Sequence, residues 1–218
     1  MKVAIAPIVL STASLGLMLG VAENAQAALI PNITASTNMG SAFSTNIANT
    51  VNGAGLPSNT PSLTGSHAAA TVTNAWFGTA LTGNITFNLN GSYSLAGFSF
   101  WNFNGQRTIG IKGVTVQSST NGTTFTTIAG APTQFAIAAT SFAAVNPETF
   151  SFSSPVTASF VRFVVASNWG SINGTGFSEV QFNRTPDQPP QLQSVPESSS
   201  LLALLAFGLA GVGLRKRM

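Results

Sequence analysis

The side chains able to do acid–base, nucleophilic or metal chemistry are few and scattered. The 218-residue chain has 5 Asp or Glu, 1 His and no Cys. Without cysteine there is no disulfide framework, thiol nucleophile or thiolate metal site. A single imidazole, His67, also excludes a histidine-rich zinc centre. Within residues 28–185 the only carboxylates are Glu148 and Glu179. A glycosidase needs two carboxyls roughly 5–10 Å apart across a cleft, and nothing in the sequence brings these two together. His67 can be drawn into a triad with a serine and one acid, but no candidate serine sits in a strained nucleophile turn. The glycines between 170 and 176 lack the lysine and following helix of a phosphate loop. The chain is therefore expected to be no enzyme.

Binding has better material. An aromatic ring in a loop can stack on the apolar face of a sugar while Asn, Gln and Arg donate to its hydroxyls. Trp169, in Ser167-Asn168-Trp169-Gly170-Ser171, has turn residues on both sides, so ligand contact and rim packing are both open to it. Trp76 and Trp101 stand at strand ends, where core packing competes with ligand contact. Arg107 follows Phe103-Asn104-Gly105-Gln106 and offers a bidentate donor, or simply keeps a loop soluble. His67, in a short polar loop, is a ligand contact or a solvated side chain. The candidate ligand-binding residues are thus Trp169, Arg107, His67 and Trp76.

Charge narrows the partners. Only 6% of residues are charged, and residues 28–185 carry four cations (Arg107, Lys112, Arg162, Arg184) against two acids, a net of +2. Four scattered cations make no nucleic-acid footprint. A coat of Asn, Ser, Thr and Gln suits neutral ligands.

The elements that must position these groups read as β-strands. Ile85-Thr86-Phe87-Asn88-Leu89 alternates with period two, as do 93–103, 114–116, 150–152 and 177–182. Residues 160–165 are apolar on both faces apart from Arg162, as in a central strand. Asn121-Gly122 predicts a hairpin joining 114–117 to 125–128. No stretch between the chain's ends keeps a helical period for three turns. The pattern predicts an all-β sandwich of roughly eight strands. Its 16 Phe supply the core.

The two ends read as addresses, each with an apolar helix. Residues 1–27 combine Lys2, an apolar run and the small-x-small step Ala25-Gln26-Ala27 of a signal peptide. An uncleaved membrane anchor is the alternative. Residues 186–194 form a Pro/Gln linker. Then come Val195-Pro196-Glu197-Ser198, an uncharged stretch over 201–214, and Arg215-Lys216-Arg217. Fourteen helical residues reach only about 21 Å, short of the roughly 30 Å hydrocarbon core. Residues 195–218 resemble the PEP-CTERM sorting signal, with Pro196 and Glu197 as its motif and Ser198 where the family usually has Pro. That resemblance implies recognition by an exosortase-type membrane protease. It also implies a membrane-anchored precursor on its way to the cell surface or extracellular matrix. An ordinary single-pass anchor is the alternative.

Residues 49–182 resemble a second family, the discoidin or F5/8 type C domain. Asn52-Gly53 followed by Trp76 resembles its first segment, where the family usually has Asp-Gly. Further on, Phe100-Trp101-Asn102-Phe103-Asn104 is similar to its Trp-Asn-Tyr-Asn step. The run from Val116 through Asn121-Gly122 to Phe125 is similar to its strand and hairpin. Phe160-Val161-Arg162-Phe163 and Gly176-Phe177-Ser178-Glu179-Val180-Gln181-Phe182 look like its closing strands. The resemblance implies a galactose-binding-like jelly roll over residues 28–185, with ligands held by loops at one end. It also implies a possible structural calcium, with Asn52 and Glu179 as its best side chains. Calcium takes six to eight oxygens, and Asn52 in place of Asp removes one charge. The alternative for Glu179 is pairing with an arginine such as Arg162. The functional expectation is recognition of an extracellular polysaccharide or cell-surface glycan. The alternatives are a structural or adhesive matrix protein without a sugar pocket, and a surface protein that itself carries glycans.

Overall fold

A computed structural model describes residues 27–186. The expected signal peptide up to its last residue, the linker beyond residue 186, and the sorting tail with Pro196 and Glu197 lie outside the described residues. Eight strands make up the fold: β1 (Ala28–Leu29), β2 (Thr34–Thr37), β3 (Trp76–Gly78), β4 (Gly83–Asn102), β5 (Val114–Ser119), β6 (Thr126–Thr127), β7 (Glu148–Val165) and β8 (Thr175–Arg184). Their order is β1-β8-β4-β7-β5-β6, with β2 also on β4 and β3 also on β8. Every named pair is antiparallel. Among the described residues no helix is long and apolar enough to cross a membrane.

Two long strands carry the architecture. A straight strand of the 20 residues in β4 would run about 65 Å. A domain of this size is only roughly 40 Å across, so the strand has to bend. It does so where its register against β7 slips, between Asn88 and Tyr93 and again between Leu95 and Gly97. There Asn90 adopts a φ of 53°. Before the bend β4 lies between β2 and β7; after it, between β7 and β8. One hydrogen-bonded sheet is thereby folded into the two layers of a sandwich.

Phenylalanines fill the space between the layers. Phe87 and Phe163 from one layer meet at 5.0 Å. They face Phe182, 5.2 Å from Phe87, and Phe98, 5.4 Å from Phe163. Phe100, Phe135 and Phe177 complete a fully buried aromatic core. Burying each such side chain is worth roughly 1.5–3 kcal/mol. The expected hairpin is present: Gln117 pairs with Thr127 and Ser118 with Thr126. Its turn is longer than two residues, and Asn121 Oδ1 accepts the N–H groups of Thr123 and Thr124.

The outer face of the second layer is covered by the long loop of residues 46–75. That loop has no ladder of its own, so side chains from the sheet must satisfy its carbonyls. Ser99 Oγ donates to the Leu63 carbonyl at 2.7 Å, and Trp101 Nε1 to that of Gly65 at 3.0 Å. Asn104 Nδ2 reaches the carbonyls of Ala68 and Ala143, both at 2.8 Å. A small second core of Leu56, Trp101, Ala138 and Val145 lies beneath.

The loops fall at opposite ends of the sandwich. Ala28 pairs with Arg184, and the Thr185 N–H donates to Ser94, so both ends of the domain lie at the bend. The other end carries the loops after β2, β4 and β7.

Candidate functional site

The loop end holds a concavity of about 450 Å³ lined by Phe43, Thr45, Thr71, Val72, Phe77, Phe103, Gln106, Ile109 and Asn173, among others. That volume is within the roughly 300–1,000 Å³ of small-molecule sites. No charged side chain lines it.

Each wall is held from behind. Thr45 Oγ1 donates towards the carbonyls of Ala42 and Phe77 and accepts the Phe77 N–H, clamping the Phe43 loop onto β3. Phe43 and Ser44 both take left-handed backbone angles, φ 53° and 59°. Such residues cost about 1–3 kcal/mol each and persist only where the surroundings impose them. The result is a phenyl ring 74% exposed, stacked on Phe77 at 5.5 Å with an interplanar angle of 12°. Phe77 in turn lies 6.3 Å from Phe103.

Asn102 sets Phe103 by accepting its N–H while donating to the carbonyls of Ile111 and Ala136. Gly105 lies flat against that ring, where a Cβ would come within 2.8 Å of it. Asn49 Nδ2 donates to the Val72 carbonyl. Asn168 Nδ2 donates to the carbonyls of Ser171 and Gly174 and to Thr175 Oγ1, which shapes the loop presenting Ile172 and Asn173. The concavity therefore offers two aromatic surfaces, Phe43 and Phe103, beside the amides of Gln106 and Asn173.

Sequence reasoning picked different residues. Trp76 is fully buried in the inter-layer core, edge-on to Phe177. Its Nε1 donates to the Gly40 carbonyl and to Ser41 Oγ. Ligand contact is therefore replaced by core packing. His67 is likewise fully buried. Its backbone bridges to Val145 and its Nδ1 lies 2.7 Å from the Ala68 carbonyl. Burial lowers the pKa of this ring, offset in part by hydrogen bonds with the carbonyls of Ala68, Ala54 and Asn74. A solvated or ligand-touching His67 is thus corrected to a buried histidine on the inner side of the covering loop.

Arg107 and Trp169 do sit at the loop end but do not line the concavity. Arg107 Nη1 donates to the carbonyls of Ala138 and Ala139, tying down the loop ahead of β7. Trp169 is half-buried; its Nε1 donates to the Phe135 carbonyl. Lys112 Nζ stands 4.8 Å from the centre of its ring. The segments these two residues occupy supply the lining through their neighbours Gln106, Ile109 and Asn173.

The two carboxylates serve opposite faces of one layer. The register sets Glu148 opposite inward-facing Phe100 and Glu179 opposite outward-facing Trp101. They cannot flank one bond. Glu148 accepts the Ala136 N–H, and burial raises its pKa. Glu179 is not paired with Arg162. That guanidinium binds Gln117 Oε1 and lies over Phe125 on the other layer.

Glu179 is fully buried beneath the covering loop. Its Oε1 accepts from the Gly53 N–H and from Gln181 Nε2, while Oε2 has no partner. Burial pushes its pKa up to about 8, against the opposing hydrogen bonds from Gln181 and Gly53. One orphaned buried oxygen is the beginning of a cation site, but the donor set does not fit calcium. N–H groups point at the same carboxylate. Asn52 is exposed, with its Oδ1 taken by the Ala54 N–H. No cluster of three acidic or imidazole groups exists among the described residues. Calcium takes six to eight oxygens, usually with more than one negative charge, and the single carboxylate here already accepts two N–H donors.

A two-layer sandwich folded from one sheet, with a neutral concavity among the loops at one end, defines an all-β domain of jelly-roll type. The chain belongs to the F5/8 type C domain family, whose pattern it matches over residues 32–179. No curated protein sequence matches it significantly. Solved structures of similar fold include a family 32 carbohydrate-binding module of NanJ from Clostridium perfringens, in complex with galactose. It is 13% identical, with a TM-score of 0.52, covering 72% of this chain and 99% of that one. Another is the CBM32-1 module of a family 31 glycoside hydrolase from the same organism. It is 14% identical with a TM-score of 0.51, covering 72% and 96%.

Proposed function

We propose that this domain is a non-catalytic carbohydrate-binding module that takes a neutral sugar in the loop-end concavity. The observation that carries the reading is Phe43, an exposed ring held in left-handed backbone at the lip of an uncharged, aromatic-walled pocket. Phe43 and Phe103 would stack on the apolar faces of a sugar ring, and the amides of Gln106 and Asn173 would take its hydroxyls. The galactose complex of the NanJ module, similar in fold, supports a sugar of that size as a first probe. With no cation on the lining, uronates and other acidic sugars should gain nothing over neutral ones.

The sugar is read as part of an extracellular polysaccharide or cell-surface glycan. The signal-like and PEP-CTERM-like ends support export and processing by an exosortase-type protease. Both ends of the domain lie at the bend, opposite the pocket, so a tether at either end would leave the pocket facing outward. Mass spectrometry of protein recovered from its host should find a chain beginning at Ala28; one beginning at Met1 would contradict signal-peptide cleavage and select the uncleaved anchor.

A glycan array with purified protein tests the binding. A selective signal for neutral glycans is expected, weakened roughly 2- to 13-fold by Phe103→Ala, since one aromatic contact is worth ~0.5–1.5 kcal/mol. The variant should remain folded, with a melting transition as cooperative as that of wild type. A second reading, an adhesive protein contact, is favoured by the exposed Phe43, Val72, Phe142 and Ile172. Silence across the array from folded protein would select it.

A further inference from the structure

The place where the family resemblance implies calcium is filled by a side chain of this protein. Gln181 projects from β8 under the covering loop and is fully buried. Its Nε2 donates to two acceptors at once: the Val51 carbonyl, at 3.1 Å, and Glu179 Oε1, beside it on the same face of β8. A cation holding this loop would have to make that same bridge, from a loop carbonyl to the strand carboxyl. Two residues on from Val51, the Gly53 N–H closes the contact from the loop side, 3.1 Å from the same oxygen. The loop passes so tightly here that a Cβ on Gly53 would lie 2.3 Å from the Thr60 carbonyl carbon and the Pro61 nitrogen.

We propose that Gln181 does the structural work of a bound cation in this chain: its amide clips the loop at Val51 to Glu179, and the domain stays ordered with no metal ion. An amide nitrogen carries two donors in a fixed plane, so it can satisfy two oxygens, and unlike calcium it needs no further four to six. Asn52, exposed and engaged only with its own turn, is then free of any ligand role. Gln181 is a positioning residue. It does not line the sugar pocket, and its effect is on the loop at Val51.

The test uses purified protein in two arms. Wild type is melted with millimolar calcium chloride and with EDTA, and should give one Tm in both. Then Gln181→Met, which keeps the length of the side chain but has no donor, is compared with wild type by hydrogen–deuterium exchange. Faster exchange confined to residues 51–61 is expected, by about tenfold or more, with protection in β4, β7 and β8 retained. A Tm that rises with calcium or falls with EDTA in wild type overturns the proposal, because ligand binding to the folded state alone would raise it. Unchanged exchange over 51–61 in the variant overturns it equally. Should the variant not fold, the calcium and EDTA melts of wild type still decide.

Discussion

Raising the pH from 6.5 to about 8 is expected to lower the melting temperature by several degrees, and Glu179→Gln is expected to abolish most of that fall. The Glu179 pKa is raised from 4.5 to about 8 in the folded protein. The folded state therefore holds a proton that the unfolded state has released, and stability falls as pH rises through this range. This contribution is full below 4.5 and gone above about 8. His67 works in the opposite sense. Its folded pKa lies below 6.5, so its neutral ring costs stability only as pH drops under that value. As pH rises above 6.5 His67 becomes neutral in both states, and Glu179 then acts without that opposition. Glu148, also raised, has the same sign as Glu179 but is only half-buried. At about 1.4 kcal/mol per pH unit, the window is worth roughly 2 kcal/mol. For a domain of this size that is a shift on the order of 4–8 °C. Thermal melts of both proteins at the two pH values check it. Equal slopes for wild type and Glu179→Gln would mean that the carboxyl is already ionised under the loop.

Phe163→Ala is expected to cost about 3–5 kcal/mol, a large share of the roughly 5–15 kcal/mol that holds a domain together. The ring is fully buried. It meets Phe87 at 5.0 Å, Phe98 at 5.4 Å, Phe135 at 5.5 Å and Phe100 at 6.1 Å, rings drawn from both layers and a loop. Removing it opens a void where the two layers meet, and close-packed neighbours can collapse only partly into it. Phe142, by contrast, is 72% exposed, and its loss should change stability by no more than about 0.5 kcal/mol. Urea unfolding of the two variants provides the comparison. Similar midpoints for both would place the centre of the core elsewhere.

Strand faces were legible in the sequence, but strand continuity was not. Alternation marks which side of a strand is buried, so 85–89, 93–103, 150–152 and 160–165 could each be recognised. Nothing in alternation shows that the first two are one strand, β4, and the last two another, β7. The join in β4 is Asn90-Gly91-Ser92 and that in β7 runs through Ser153-Ser154-Pro155, residues that read as turns, and the backbone passes through them by slipping register rather than by reversing. The same limit explains Trp76, His67 and Glu179. Trp76 was open to core packing or ligand contact, His67 to a solvated loop, and Glu179 to calcium or Arg162; the loop of residues 46–75 folds over the sheet and buries His67 and Glu179 instead. The cover is a long-range event that local composition does not encode.

The pocket was half legible. Loops at one end were expected from the family resemblance, and Arg107 and Trp169 lie on two of the loops that line the concavity. The lining residues were passed over for physical reasons. Phe103 ends an alternating run and reads as core. Phe43, alone between small residues, carries no periodicity at all, although a lone large aromatic in a polar loop is itself a signal of exposure. Its left-handed backbone is visible only in the structure.

The most direct measurement is a ¹⁵N–¹H shift titration of the purified protein with galactose. The account predicts changes concentrated at residues 42–45, 70–72, 103–109 and 173, with the bend and the termini unmoved. Changes centred on the Trp169 and Lys112 face without the pocket, or on the groove between Leu29, Leu63 and Asn183, would contradict it.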